Sequence, residues 1–232
     1  MKKKIYLLAL VLICSCATTS TENVQKAIAH YKLGVSYLNE NNIQPAFIEF
    51  QKAIEFNPED KEVLNAIGII YLLKFEDFQK AIDFFQRALK VDPNFSEAYN
   101  NLGFAYEKIK RFDDAINSYK KALSNLMYQT PEKAYYNLGR VYYRLGRCED
   151  AIDAHKEAIK RANEFSPSYY GLALCYNAKG RYGDASAAIT KAIEIEYKGD
   201  RAKAISDLSQ RKLKAKGDEE KDIGDYLEIL KY

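Results

Sequence analysis

The sequence has no tryptophan, only two histidines and only four cysteines among its 232 residues. So few imidazoles and thiols leave little material for a metal site or a histidine-based active site. It also lacks a glycine-rich phosphate loop, a His/Cys cluster and a nucleophile elbow. We therefore expect neither an enzyme nor a bound metal or cofactor.

Excess charge is scarce as well, since 35 Lys and Arg face 32 Asp and Glu. Three of the positive charges, Lys2, Lys3 and Lys4, lie in an N-terminal segment that reads as removable. Without those three the two signs balance. A formally neutral chain argues against nucleic-acid binding driven by phosphate attraction.

The chain also has no long hydrophobic run. Its N-terminal apolar stretch, from Ile5 to Ile13, is shorter than the roughly 20 residues that a membrane-spanning helix needs. It has the length of the hydrophobic region of a secretory signal, which we place at residues 1–15. Polar, aperiodic residues follow, so residues 16–26 are expected to form a tether.

The end of this segment, Ile13-Cys14-Ser15-Cys16, resembles the lipobox of bacterial lipoproteins, in which a small residue precedes the acylated cysteine. Cys16 fits because Ser15 precedes it, whereas Cys14 follows the bulky Ile13. An ordinary signal peptide with incidental cysteines is the alternative. Because Ala17 rather than Asp follows, the resemblance implies a lipid anchor at the periplasmic face of the outer membrane.

The rest of the chain is dominated by a repeat of about 34 residues. Five units align, at 27–60, 61–95, 96–131, 132–165 and 166–199. Position 8 is Gly or Ala, position 11 is Tyr, and positions 20 and 27 are Ala in all five units. Each unit has two apolar stripes at helical spacing, and the small residues let two helices approach closely. One helical hairpin cannot bury its own apolar face, so neighbouring units must stack.

This pattern resembles the tetratricopeptide repeat (TPR) family over residues 27–199. The resemblance implies an all-α fold, a right-handed superhelical solenoid of helix-turn-helix repeats. We interpret residues 200–232 as a C-terminal cap: a polar-faced helix over 201–214, a charged break at 216–222 and a short last helix over 223–232.

His30 and His155 fall at packing positions of the repeat. Cys148 and Cys175 lie in adjacent units, and the sequence leaves open whether they form a disulfide.

In TPR arrays the first helices line a concave face that binds protein partners. The resemblance therefore implies candidate contact residues at the matching positions of this chain. The candidates in the first three units are Tyr31, Leu38, Leu72, Asn101 and Phe104. Those in the fourth unit are Tyr136, Asn137, Arg140, Tyr143 and Arg144. Among them we expect Leu38, Leu72 and Phe104 to act as apolar anchors.

The stretch from Ala122 to Gly139 resembles the connector between the third and fourth repeats of type IV pilus biogenesis lipoproteins of the PilF/PilW type. Two extra residues fall in this connector, around Tyr128 and Pro131. The resemblance implies a pilotin, a lipoprotein that assists the localisation and assembly of the type IV pilus secretin. The alternative is a general periplasmic scaffold that recruits cell-wall hydrolases or proteases.

Overall fold

The computed structural model describes residues 2–231, and the side chains of residues 21–231. All regular structure in this described part is helical. The twelve helices are α1 (Lys2–Asn39), α2 (Ile43–Phe56), α3 (Lys61–Leu73), α4 (Phe78–Val91), α5 (Ser96–Lys108), α6 (Phe112–Ser124), α7 (Pro131–Arg144), α8 (Cys148–Arg161), α9 (Ser166–Ala178), α10 (Tyr182–Tyr197), α11 (Arg201–Lys212) and α12 (Asp218–Ile229). This confirms the expected all-α helical-repeat fold.

The helices belong to two compact units. The N-terminal unit, Met1–Ile109, contains α1 to α5, and the C-terminal unit, Lys110–Tyr232, contains α6 to α12. Within each unit the second helix of a repeat packs against its own first helix and against the first helix of the next repeat. Examples are α2 on α1 and α3, and α8 on α7 and α9.

The recurrent small residues lie where the helices touch. The alanines at positions 20 and 27 are all fully buried; they are Ala46, Ala81, Ala115, Ala151, Ala185, Ala53, Ala88, Ala122, Ala158 and Ala192. A Cβ added to Gly34 would lie 2.6 Å from the ring of Phe50, and one added to Gly68 would lie 2.6 Å from the ring of Phe85. Each ring thus fills the space that a glycine leaves, which explains why the two residue types recur together.

The turn inside each repeat contains one residue with a left-handed backbone at the same place in the repeat. These residues are Asn41, Glu76, Lys110, Gly146 and Gly180, with φ between 53° and 72°. The conformation costs little for glycine and asparagine and more for the others. Several helices begin with an aspartate cap. For example, the Asp60 carboxylate accepts hydrogen bonds from the backbone N–H groups of Glu62 and Val63.

At the ends of the chain the structure adds a detail to one expectation and corrects another. The segment 16–26, which we expect to form a tether, is part of the continuous helix α1. The expected charged break at 216–222 is helical from Asp218 onward, because Asp218, Glu219 and Glu220 form the first turn of α12. Acidic side chains favour that position because the helix dipole is positive there.

Leu33 departs from its counterparts in the other repeats. It is 42% exposed, whereas Ile67 at the same repeat position is 1% exposed. Ile67 lies in one core cluster with residues of α2. In the part of the chain with described side chains, no second helix of an earlier repeat lies beside Leu33.

Among the helices described, none is both long enough and apolar enough to cross a membrane.

Candidate protein-interaction surfaces

In the N-terminal unit, the predicted contact residues of α1 are partly buried rather than fully presented to solvent. Tyr31 and Leu38 pack against a core cluster formed by α2 and α3. The ring of Tyr31 lies 5.8 Å from that of Phe50. Burial, reinforced by the carboxylates of Glu62 and Asp60, raises the pKa of the Tyr31 hydroxyl. The structure thus holds these side chains in place and leaves part of each accessible.

Leu72 does not have the position expected of an apolar anchor. Its side chain is only 3% exposed, so it belongs to the core and is not accessible to a partner. The neighbouring Leu73 is 53% exposed instead. Adjacent residues of a helix point about 100° apart, so a face assigned from repeat position alone can be wrong by one residue. We therefore replace Leu72 by Leu73 among the candidate anchors.

Asn101 and Phe104 of α5 complete the predicted set in this unit. The side-chain amide of Asn101 donates a hydrogen bond of 3.0 Å to the side-chain oxygen of Asn65 on α3. Asn101 therefore helps to join two first helices. Phe104 is half-buried, and the ammonium of Lys108 lies 5.1 Å from its ring centroid.

In the C-terminal unit, the predicted residues of α7 form an aromatic and cationic surface. The guanidinium of Arg140 lies 5.6 Å from the ring centroid of Tyr136. Tyr136 in turn meets the ring of Phe165 edge to face at 5.7 Å. Burial raises the pKa of Tyr143 to about 12, with further contributions from the carboxylates on α12. Asn137, the remaining member of this predicted set, is half-buried.

Arg144 is engaged by the C-terminal helix. Its guanidinium binds Asp222 of α12 through two hydrogen bonds, one of them 2.8 Å between Nη1 and Oδ1. Its Nε lies 3.6 Å from the carboxylate of Asp218. Both partners of the main pair are largely shielded from solvent, with Arg144 17% and Asp222 14% exposed. Part of the predicted binding surface is therefore covered by the chain itself.

A second contact between α12 and this surface is aromatic. The ring of Tyr226 lies 4.9 Å from that of Tyr170 on α9. A small cavity of about 20 Å³ remains beneath α12, and its lining includes Tyr136, His155 and Tyr226. We name the surface formed by Tyr136, Arg140, Tyr143, Arg144, Tyr170 and Gly171 the α7–α9 face.

His155 lies at the base of the α7–α9 face and is completely buried. Gly139 and Gly171 flank its imidazole so closely that a Cβ at either position would collide with it. Neither ring nitrogen has a hydrogen-bond partner. Burial, together with the charge of Arg140, lowers the pKa of His155 to about 3. The imidazole is thus neutral at physiological pH, which agrees with its interpretation as a packing residue.

Cys148 and Cys175 are both free thiols, the first half-buried and the second buried. Burial is the main reason that the pKa of Cys175 is raised to about 12. Cys16, the predicted lipidation site, lies outside the residues whose side chains the structure describes.

Sequence reasoning missed two features that bear on binding. One is α12 lying on the α7–α9 face, which no local pattern indicates because Arg144 and Asp222 are 78 residues apart. The other is an exposed apolar pair in the connector between α6 and α7: Leu126 is 96% and Met127 is 76% exposed. The sequence does contain a signal for this pair, two apolar residues inside a polar break.

Comparison with known families identifies the repeat. Models described as the tetratricopeptide repeat match residues 27–60, 94–164 and 136–201, and one described as the TPR repeat matches residues 76–110. Between residues 27 and 201, only 61–75 lie outside these matches.

Solved structures of several proteins share the fold. PilW, described as a widely conserved type IV pilus biogenesis factor, matches with a TM-score of 0.72 and 20% identity over 88% of this chain and 90% of PilW. Pseudomonas aeruginosa PilF matches with a TM-score of 0.69 and 17% identity over the same shares. MamA matches with a TM-score of 0.62 and 26% identity over 75% of this chain and 93% of MamA.

A curated relative gives a shorter match. Anaphase-promoting complex subunit 3 of Schizosaccharomyces pombe is 40% identical over 62 residues, which are 27% of this chain and 9% of that protein. The chain thus spans less than a tenth of this relative.

Proposed function

We propose that this tetratricopeptide-repeat protein is a lipid-anchored pilotin, which binds the type IV pilus secretin and assists its localisation and assembly in the outer membrane. Tetratricopeptide repeats are protein-interaction scaffolds and are typically not catalytic. The proposal is supported by a sequence ending at Cys16 that resembles a lipobox, together with a fold shared with PilW over 88% of this chain. The fold itself is not specific to pilus proteins, because MamA shares it over 75% of this chain.

The anchoring part of the proposal depends on Cys16. Acyl chains on this cysteine would hold the repeats at the periplasmic face of the outer membrane, because Ala17 follows it. We expect the mature chain to begin at an acylated Cys16, which mass spectrometry of its N-terminus measures. A mature chain that begins elsewhere, or a Cys16→Ser variant that stays in the membrane fraction, would contradict this part.

The binding part depends on side chains that stay accessible on rigid helices. In the N-terminal unit these are Leu38, Leu73 and Phe104, which lie on α1, α3 and α5. Apolar side chains that are half-buried in a fixed orientation are suited to anchor a partner, because little conformational entropy is lost on binding. A truncated anchor typically costs about 2 kcal/mol, or roughly thirtyfold in affinity.

The decisive experiment deletes the gene and measures secretin multimers in isolated outer membranes. We expect the multimers to fall and the monomers to accumulate. Complementation with the wild type should restore them, and a Leu73→Asp/Phe104→Asp variant should not. Leu213→Asp is the matched control, because Leu213 is 87% exposed and lies outside the predicted face.

Circular dichroism must show that each variant is folded, so that loss of the site is separated from loss of the fold. Normal multimers in the deletion strain would refute the pilotin role and leave the scaffold for cell-wall hydrolases or proteases. Full rescue by the double variant would refute only the assignment of these anchors. In that case the exposed pair of Leu126 and Met127 is the next surface to test.

A further inference from the structure

The last helix does not continue the repeat. In the repeats, a second helix packs against its own first helix and the first helix that follows, as α8 does with α7 and α9. Helix α12 packs on α11 as a second helix does, but it also turns back onto α9 and α10, and it reaches Arg144 of α7. It therefore occupies a surface that the repeat pattern assigns to binding.

The contacts of α12 define a short recognition pattern. Asp218, Asp222 and Tyr226 follow one another at intervals of four residues, so they share one face of the helix. The two carboxylates meet Arg144, and the ring of Tyr226 meets Tyr170. The surface thus receives an acidic helix face with a tyrosine two turns after the first aspartate, through charge complementarity and aromatic contact.

The fit between α12 and the surface is incomplete. The imidazole of His155 is fully buried and lines the cavity beneath α12, yet neither ring nitrogen has a hydrogen-bond partner. Buried polar groups are nearly always paired, so the unpaired nitrogens mark a hydrogen-bonding position on this face that α12 does not use. A better ligand would place a hydrogen-bonding side chain over His155.

Helix α12 is also less deeply buried than the repeat helices α8, α9 and α10. Its only fully buried side chains are Ile223 and Ile229, and its interior contains Gly224, which weakens a helix. A five-residue turn connects it to α11, which keeps its effective concentration at the surface high. Such a helix stays bound by proximity and can be displaced by a competitor.

We propose that the α7–α9 face is a binding site for an acidic, tyrosine-bearing helix of a partner protein, and that α12 is its built-in competitor. A partner helix with the Asp-Asp-Tyr spacing of α12 displaces α12 when it binds. This rests on the binding role proposed above but not on the identity of the secretin. Its test therefore uses the purified chain and a synthetic peptide, without the secretin.

The probe is a fluorescein-labelled synthetic peptide of residues 215–232, and the measurement is fluorescence anisotropy with the full chain. An Asp222→Lys variant of the chain places a lysine against Arg144 and should release α12. We expect this variant to bind the peptide at least tenfold more tightly than the wild type. Glu228→Lys, the same charge change at an exposed position of α12, should bind like the wild type.

Two further variants test whether release of α12 opens the site and whether the peptide binds at Arg144. Gly224→Pro breaks α12 without touching the α7–α9 face, and it should open the site as Asp222→Lys does. Adding Arg144→Asp to Gly224→Pro should abolish peptide binding. Hydrogen exchange should show that the amides of α12 lose protection in both opened variants while those of α7 and α9 keep it.

The proposal fails if the opened variants are folded and bind the peptide no better than the wild type. It fails equally if Arg144→Asp leaves binding unchanged, because the peptide would then bind elsewhere. Neither result bears on secretin assembly in the deletion strain.

Discussion

Replacing His155 by phenylalanine should remove an acid-sensitive contribution to the folding of the C-terminal unit. His155 occupies the position that phenylalanine holds in the first two repeats, as Phe50 and Phe85. Like those rings, it lies against a glycine at position 8 of its own repeat. A phenylalanine should therefore fit the site, and the cavity of about 20 Å³ beside His155 gives the larger ring some room.

The magnitude follows from the pKa of His155, which folding lowers from 6.5 to about 3. Burial is the main cause, and Arg140 is the positive charge that opposes protonation; Asp222 and Tyr226 of α12 also line the adjoining cavity. Below pH 6.5 the imidazole of His155 binds a proton in the unfolded chain but stays neutral in the folded chain. The contribution of His155 to the free energy of unfolding is thus fully present above pH 6.5, and it falls progressively as the pH is lowered to about 3. At pH 5 the loss is about 2 kcal/mol.

The assay is urea unfolding followed by circular dichroism at pH 7.5 and pH 5.0. Other groups titrate in this range in both chains, so the quantity of interest is the difference between wild type and His155→Phe in their loss of unfolding free energy. We expect the wild type to lose about 2 kcal/mol more than the variant. Equal losses would mean that His155 becomes protonated in the folded state, which contradicts the burial argument.

A reciprocal variant provides the control. Phe50→His introduces an imidazole against Gly34, at the same repeat position in the N-terminal unit. It should add an acid-dependent loss that the wild-type N-terminal unit lacks. If Phe50→His shows no new pH dependence, the environment of this repeat position does not exclude a protonated imidazole, and the calculation for His155 loses its basis.

Two further predictions concern the repeat itself. Gly68→Ala should destabilise the chain by about 1–3 kcal/mol in thermal unfolding, because the new Cβ would lie 2.6 Å from the Phe85 ring. Gly183→Ala is its matched control, since nothing lies within 4 Å of a Cβ there; it should be neutral or stabilise by up to about 1 kcal/mol, and equal effects would show that the packing argument is wrong. Asp60→Ala should cost about 1 kcal/mol through loss of the cap of α3, and Asp60→Asn should retain most of it.

The fold could be predicted because its determinants are local and repeated. An alanine at position 20 or 27 indicates a close contact between two helices, and the same alanines occur in all five repeats. The pairing of Gly34 with Phe50, and of Gly68 with Phe85, follows from two positions only 16 or 17 residues apart. Evidence of this kind accumulates within one sequence without knowledge of the long-range structure.

The candidate sites could be predicted only in part, because accessibility depends on contacts that no repeat position encodes. Leu72 and Leu73 are equally apolar, yet one is in the core and the other is exposed. The sequence placed Arg144 on the correct face of α7, but it did not indicate that α12 binds there. Asp222 reaches Arg144 only because the chain reverses after α11, and the acidic start of α12 looks like a polar break in sequence alone.

The two thiols of the repeats offer a last test of how burial controls chemistry in this fold. The thiolate is the reactive form, and burial raises the pKa of Cys175 to about 12, with Cys148 and Glu149 as further causes. Compared with an ordinary thiol, Cys175 should therefore be alkylated by iodoacetamide roughly a thousandfold more slowly at pH 8. With Cys14 and Cys16 replaced by serine, mass spectrometry should show one rapid modification in the native chain, at Cys148, and two after unfolding in urea. Rapid modification of both thiols would contradict the burial of Cys175. A native mass two daltons lower before reduction would instead reveal a disulfide between the two cysteines.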